Sequence, residues 1–478
     1  MSNTIIRNKL YINGHWVTPH GKGTIDVVDP STEGIYAQIP EGTPEDATDA
    51  VLAARAAYDQ WSSLTGAQRG EYLEKIAAGL KARSVDLSNA IASEVGMPVK
   101  MAGMVQVAGP VWNWGNYAKI AKEFEFETKL GNSLIVREAI GVVSAITPWN
   151  FPLNQITLKV AAALAAGCTV VLKPSEVAPI NAFILAEVIH EAGVPAGVFN
   201  LVTGYGPVVG EVLASHPEVD MVSFTGSTGA GKRVAELAAK TVKKVALELG
   251  GKSAAVILDD ADLRSSVRGT VANCFLNSGQ TCSATTRMLV PRAKLDEALG
   301  YAKEFAQTYT LGPAMGEGAK LGPLVSEIQR SRVRNYIEKG QAEGATLVTG
   351  GAGAPENLST GFFVQPTVLA AKTSKDTVAQ EEIFGPVLTV IPFDSEAEAI
   401  AIANDSPYGL GGAVFAGTDE HAIAVAKKIR TGQININGGQ WNPQAPFGGY
   451  KQSGVGRENG LYGMEEFLEY KSLQLKSA

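Results

Sequence analysis

Cysteine is scarce in this 478-residue chain, with three residues, Cys168, Cys274 and Cys282. So small and odd a set excludes a disulfide framework and points to a reducing compartment. Long apolar runs are also lacking. The longest, Val160 to Leu172, has 13 residues and contains Gly167 and Thr169, whereas a membrane-spanning helix needs about 20. The opening MSNTIIRNKLY has no apolar stretch of the signal-peptide kind. There is no basic run, and the formal net charge is −7. Nucleic acid and anionic membranes are therefore poor partners. The five histidines, His15, His20, His190, His216 and His421, fall in no metal-binding spacing, so no metal site is expected. No repeat of fixed period and no low-complexity tract occurs. These absences leave a cytoplasmic enzyme as the expectation.

Hydrophobic residues make up 45% and charged residues 19%, a globular balance with length for two to three domains. Thr43, Pro44, Glu45 and Asp46 read as the start of a helix, whose buried stripe is Ala47, Val51, Ala54, Tyr58 and Trp61. A second helical pattern runs through Leu73, Ile76 and Leu80. From Gly141 to Gly250 short apolar runs alternate with helical segments: GVVSAIT, TVVLK, GVFNLV, VDMVSFT and KVALEL. Continuous apolar strands separated by helices predict a parallel sheet covered on both faces. A second α/β series follows Gly251, with SAAVIL, RMLV, VLTVIPF, GGAVFA and GQININ as its strands. FEFET, KLGN and SLIVRE read as a hairpin, and the terminal EYKSLQLKSA also alternates. Such an arm suits a subunit interface or an edge hairpin on a monomer.

Several strand ends carry reactive residue types. GSTGAGKR, from Gly226 to Arg233, precedes a helix and offers backbone N–H groups to phosphate. It nearly matches the triphosphate loop but has Arg233 where Ser or Thr should ligate Mg²⁺. GYGPVVG, from Gly204, has its third glycine one position late for a dinucleotide fingerprint. Cys282 follows Gly279 among small polar neighbours, as a nucleophile near backbone donors would; Cys168 and Cys274 read as core thiols. Glu248 ends an apolar strand before two glycines, where burial would raise its pKa into a range useful for a base. Asn150 in TPWNFP could donate to an oxyanion, and Lys173 with Glu176 could hold a ribose. For each, a structural role as a core thiol, turn residue or surface ion pair stands as the alternative.

Taken together, these segments resemble the aldehyde dehydrogenase superfamily over essentially the whole length. PWNFPL, KPSE, FTGSTGAG, LELGGKSA, GQTCSA, EEIFGP, NDSPYGL and PFGGYKQSGVGRE occur in the family's order. The resemblance implies an α/β protein with an atypical Rossmann cofactor domain, a second α/β catalytic domain and a bridging β-hairpin arm. The expected bounds are 1–120 and 140–250, 251–450, and 121–139 with 465–478, respectively. It implies Cys282 as nucleophile, Asn150 as oxyanion donor, Glu248 as general base, and Lys173 and Glu176 on the adenosine ribose. Glu382 would hold the nicotinamide ribose, Phe384 would brace the ring and Ser227 would meet the pyrophosphate. Thr147, Trp149, Gly206, Phe224, Gly226, Leu249, Gly250 and Gln329 would line the cofactor cleft. Phe151, Trp441 and Phe447 would shape a substrate tunnel for apolar aliphatic or aromatic aldehydes. The implied reaction is NAD(P)-dependent, non-acylating oxidation to the acid through a thiohemiacetal and a thioester. NAD is preferred, with NADP disfavoured rather than excluded. The arm implies a homodimer or homotetramer. Two rival activities fit less well: Arg233 argues against an NTPase, and Glu248 argues against an acyl transferase using coenzyme A.

Overall fold

Helix and strand starts follow local chemistry. The structure is a computed structural model describing residues 4–476. The helix Pro44–Ser62 begins with a reciprocal cap: Thr43 Oγ1 accepts from the Asp46 N–H at 3.3 Å, and Asp46 Oδ2 accepts from the Thr43 N–H at 2.8 Å. Its stripe of Ala47, Val51, Ala54 and Trp61 is fully buried. Tyr58 is only half-buried, because its hydroxyl reaches out to donate to Ala139 O at 2.7 Å. The longest apolar run divides at Gly167, whose φ of +105° ends the helix Pro152–Ala166 before the strand Thr169–Lys173.

Ten apolar runs noted in the sequence all form strands, and they sort into two sheets. In the larger, Lys244–Glu248, Met221–Thr225, Val142–Ile146, Thr169–Lys173 and Phe199–Leu201 lie side by side and parallel. Leu10–Ile12, His15–Val17 and Gly454–Val455 extend its edges with antiparallel pairing. The second sheet runs Thr346–Thr349, Thr367–Ala370, Val387–Phe393, Arg287–Pro291, Ala254–Ile257, Gly412–Phe415 and Asn435–Ile436. A three-stranded antiparallel sheet joins Glu127–Leu130, Ser133–Ala139 and Leu468–Gln474. The amino-terminal strands, Thr24–Val28 and Ile35–Pro40 included, carry no long apolar run and were not anticipated.

Chain order in the large sheet reverses between Val142–Ile146 and Met221–Thr225. Chains leave those two neighbouring strands in opposite directions, which opens a crevice at their carboxyl ends. Thr147, Trp149 and Asn150 follow the first strand, and Gly226 and Ser227 follow the second. Across the crevice lies the loop before the second sheet's strand Arg287–Pro291, which carries Cys282. Among the described residues no helix is long and apolar enough to cross a membrane.

Removing the cap hydroxyl tests the first helix. Thr43→Ala should lower stability by about 1 kcal/mol. The loss would appear as a lower urea midpoint with an unchanged slope.

Candidate active site

The loop carrying the nucleophile candidate is held in an unusual shape. After the helix Leu263–Phe275, Asn277, Ser278 and Gly279 take φ values of +53°, +55° and +75° in succession. Gly279 is packed so closely that a Cβ there would lie 2.0 Å from Gly385 O. Ser278 Oγ donates to Gly322 O at 2.8 Å, anchoring the turn. Cys282 emerges three residues later, half-buried, while Cys168 and Cys274 are fully buried. Burial pushes the Cys282 thiol well up, and the Glu248, Glu382 and Glu458 carboxylates push it the same way. Asn150, 4% exposed, donates from Nδ2 to Gln280 O at 3.0 Å, beside the thiol loop.

Glu248 ends its strand with its side chain buried. Among the described residues neither carboxylate oxygen finds a hydrogen-bond partner. Burial raises its carboxyl well above the usual range and Glu458 raises it further, against the opposing pull of Lys159 and Arg457. Lys159 and Glu458 form an ion pair of 2.5 Å, with side chains 1% and 9% exposed. Neither residue was singled out in the sequence. The available signal was a lysine inside a helix that is otherwise almost wholly apolar and buried. Phe447 pairs with Glu458 through the backbone, and a Cβ on Gly448 would lie 2.8 Å from Glu248 Oε1.

Ten of the expected residues line one cavity of about 200 Å³: Trp149, Asn150, Gly226, Ser227, Leu249, Gly250, Cys282, Gln329, Glu382 and Phe384. Ser227 caps the helix Thr228–Ala239, accepting from the Ala230 N–H at 3.2 Å. That places a helix amino terminus, with its free N–H groups, at the cavity wall. Glu382 Oε1 accepts from the Gly251 N–H at 2.9 Å, and burial raises its carboxyl. Phe384 sits at φ +62° with its ring edge-on to Trp149 at 5.5 Å, and Gln329 Nε2 donates to Phe384 O at 2.7 Å. Arg332, not anticipated, also lines the cavity and donates to Glu382 O at 2.8 Å.

Other expected residues lie around this cavity without lining it. Thr147 is 4% exposed with Oγ1 unpartnered among the described residues. Lys173 is buried and turns inward, donating to Pro174 O at 2.8 Å and meeting Glu176 Oε2 at 3.4 Å. Burial lowers its pKa. Gly206 opens a π-helical turn, Gly206–Gly210, which explains the late third glycine of GYGPVVG. Gly210 approaches the Lys173 stem. The Phe224 ring packs beneath Gly226. Phe151 caps the helix Pro152–Ala166, and Trp441, 51% exposed, meets Phe447 edge-on at 5.4 Å. Arg233 pairs with Glu236 on its own helix and with Glu211 of the preceding helix, Glu211–Ser215.

The fold and cleft define a class: an α/β protein with two large mixed sheets, and a thiol and a buried carboxylate beside a helix terminus suited to phosphate. The sequence matches the aldehyde dehydrogenase family over residues 16–473, and the chain belongs to that family. A Pseudomonas 3-succinoylsemialdehyde-pyridine dehydrogenase is 51% identical over 466 residues, covering 97% of this chain and 98% of the relative. A putative aldehyde dehydrogenase of Staphylococcus aureus is 45% identical over 465 residues, covering 97% and 98%. Among solved structures, a mutant of aldehyde dehydrogenase C from Pseudomonas syringae, in complex with NAD+ and octanal, superposes with a TM-score of 0.97. It is 46% identical, covering 98% of this chain and 96% of that one. The Mycobacterium tuberculosis aldehyde dehydrogenase complexed with NAD+ also gives 0.97, at 42% identity and 100% and 99% coverage.

Thiol burial sets a labelling pattern. Native protein treated with iodoacetamide should take up one equivalent, at Cys282, because Cys168 and Cys274 are fully buried. The raised thiol pKa makes the labelling rate climb through the alkaline range without levelling near neutrality, which peptide mass mapping across pH would read.

Proposed function

We propose that this chain oxidises an apolar aliphatic or aromatic aldehyde to its carboxylic acid, with NAD+ as hydride acceptor. The observation that carries the reading is the meeting of Cys282, Asn150, Leu249 and Gly250 at one crevice, with a helix amino terminus in its wall and Glu248 buried at the strand end just before Leu249. The cleft suits a dinucleotide. Backbone N–H groups after Ser227 face phosphate, Glu382 offers a carboxylate to a ribose, and the unpartnered Thr147 Oγ1 is buried beside the strand ends. Bound there, NAD+ would supply the hydride acceptor. NAD+ is the cofactor in the similar structures, and octanal lies in one of them.

Cys282, as thiolate, attacks the aldehyde carbon, and its sulfur becomes covalently bound in a thiohemiacetal. The Asn150 amide and the Cys282 backbone N–H stabilise the oxyanion. Loss of hydride leaves a thioester on Cys282. Glu248 then takes a proton from water, which attacks the thioester and frees the acid and the thiol. Burial raises the Glu248 carboxyl, which makes its carboxylate a stronger proton acceptor. Lys173 and Glu176 serve the adenosine ribose, and Gly206 and Phe224 support that end. Phe151, Trp441 and Phe447 form the apolar approach to the thiol. Octanal in one similar structure supports an aliphatic aldehyde, and the 3-succinoylsemialdehyde-pyridine dehydrogenase among the relatives supports an aromatic one.

The cofactor domain takes residues 1–120 and 140–250, and the catalytic domain residues 251–450. The arm, 121–139 with 465–478, joins subunits of a homodimer or homotetramer; residues 1–3 and 477–478 of these bounds lie outside the described residues. Leu130, Tyr470 and Leu473 stand exposed on it, supporting a partner surface. Three free thiols suit the cytoplasm.

Rapid mixing with octanal tests the chemistry. Glu248→Gln should release at most about one equivalent of NADH per site and then turn over very slowly, while Cys282→Ser should give no burst yet still bind NAD+. Unchanged steady-state turnover in Glu248→Gln would return that carboxylate to a structural role.

Glu176 sets cofactor choice. A carboxylate and a 2′-phosphate roughly 4 Å apart at a partly exposed site repel by about 4 kcal/mol. Lys173, paired to Glu176, offsets part of this. NAD should therefore exceed NADP in kcat/KM by at least about tenfold, and Glu176→Gln should narrow the gap.

A further inference from the structure

The carbonyl of Asn150 receives two buried side-chain donors from distant parts of the chain. Gln106 Nε2 lies 3.2 Å from it and Asn277 Nδ2 lies 2.9 Å from it. Gln106 is fully buried, and Asn277 and Asn150 are each 4% exposed. Each donor is delivered by irregular backbone. Gln106 sits in the π-helical segment Ala102–Val107, where an extra residue per turn redirects side chains. Asn277 holds φ +53°, a left-handed conformation that asparagine tolerates better than most residues. Strained backbone of this kind gathers at functional sites.

The same Asn277 amide also reaches Gln280 O at 3.3 Å, the carbonyl that accepts from Asn150 Nδ2 at 3.0 Å. Gln280 is itself tied on both sides: its Nε2 donates to Asn277 O at 3.2 Å, and its Oε1 accepts from the Val325 N–H at 2.9 Å. A carbonyl oxygen can only accept. Gln280 O therefore fixes which end of the Asn150 amide faces it, occupying one N–H and leaving the other for the cavity. The clamp on the Asn150 carbonyl fixes the peptide from which that side chain springs.

We propose that Gln106 and Asn277 are positioning residues that orient the Asn150 amide toward the developing oxyanion. This rests on the reading of Asn150 as an oxyanion donor. Both act through Asn150 rather than on substrate. Their loss should slow the step in which negative charge forms and leave cofactor binding alone.

Asn277→Gly keeps the left-handed backbone and removes the amide. Gln106→Met keeps the volume and removes the donor. The experiment follows the NADH burst with octanal and with octanal deuterated at C1. It is run beside Asn150→Ala, with NAD+ affinity and melting temperature measured for each variant. Both positioning variants should slow the burst by about ten- to a hundredfold, less than loss of an oxyanion donor costs. The slowed burst should show no primary isotope effect from C1 deuteration, because the C1–D bond is still intact while the oxyanion forms, and NAD+ affinity and melting should stay near wild type. A wild-type burst in both variants beside a slow Asn150→Ala overturns the clamp. A slow burst accompanied by weakened NAD+ binding and lowered melting also overturns it, since that reports general loosening. A wild-type burst in Asn150→Ala overturns the reading of Asn150 itself.

Discussion

Steric exclusion at Gly250 and Gly251 governs the site. A Cβ on Gly250 would lie 2.3 Å from Glu382 Oε2, and one on Gly251 would lie 2.5 Å from Cys282 O. The strand that carries Glu248 thus runs directly against the loop of the nucleophile and the loop of Glu382. At Gly251 the near atom is backbone, so a side chain there would push the nucleophile loop away, whereas at Gly250 it would displace the end of the Glu382 side chain. Leu249 N–H donates to Ser453 O at 2.9 Å, and Ser453 Oγ donates to Gly250 O at 2.7 Å, so the contact is bonded from the other side as well. Because the approach at Gly251 is between backbones, the spacing of the strand end and the thiol loop does not depend on flexible side chains.

Electrostatics add a second constraint. Glu248, Glu382 and Glu458 surround the thiol at low exposure, and all three disfavour its ionised form. Lys159 neutralises Glu458, yet it leaves Glu248 short of partners. Burial raises the Glu248 and Glu382 carboxyls too, so the site disfavours negative charge on thiol and carboxyl alike. A cationic ring entering the cavity would ease ionisation there.

Much of this was legible in the sequence, for identifiable reasons. Buried parallel strands leave continuous apolar runs, so Val142–Ile146, Thr169–Lys173 and Met221–Thr225 stood out. Short strands such as Leu10–Ile12 and Thr346–Thr349 did not, because three or four residues leave no periodicity to read. Motif residues at strand ends were found through their chemistry. Lys159, Glu458, Gln106 and Arg332 were missed, since each is recruited by tertiary contact across long sequence separations. Glu458 was quoted within a motif, but nothing local tells that its partner lies 299 residues earlier. The π-helical turns were equally silent, because their sequences read as ordinary helix.

The strand Gly454–Val455 and the terminal strand Leu468–Gln474 return to elements laid down far earlier in the chain. The second sheet is in effect an insertion within the first unit. During synthesis the ribosome releases the amino-terminal sheet with one edge still open beside Lys244–Glu248. Glu248 has neither the Gly454–Val455 strand nor the Lys159–Glu458 pair beside it until that later segment is made. Its surroundings are thus completed after the thiol loop has been made, so a nascent chain holds the nucleophile before it holds the finished base.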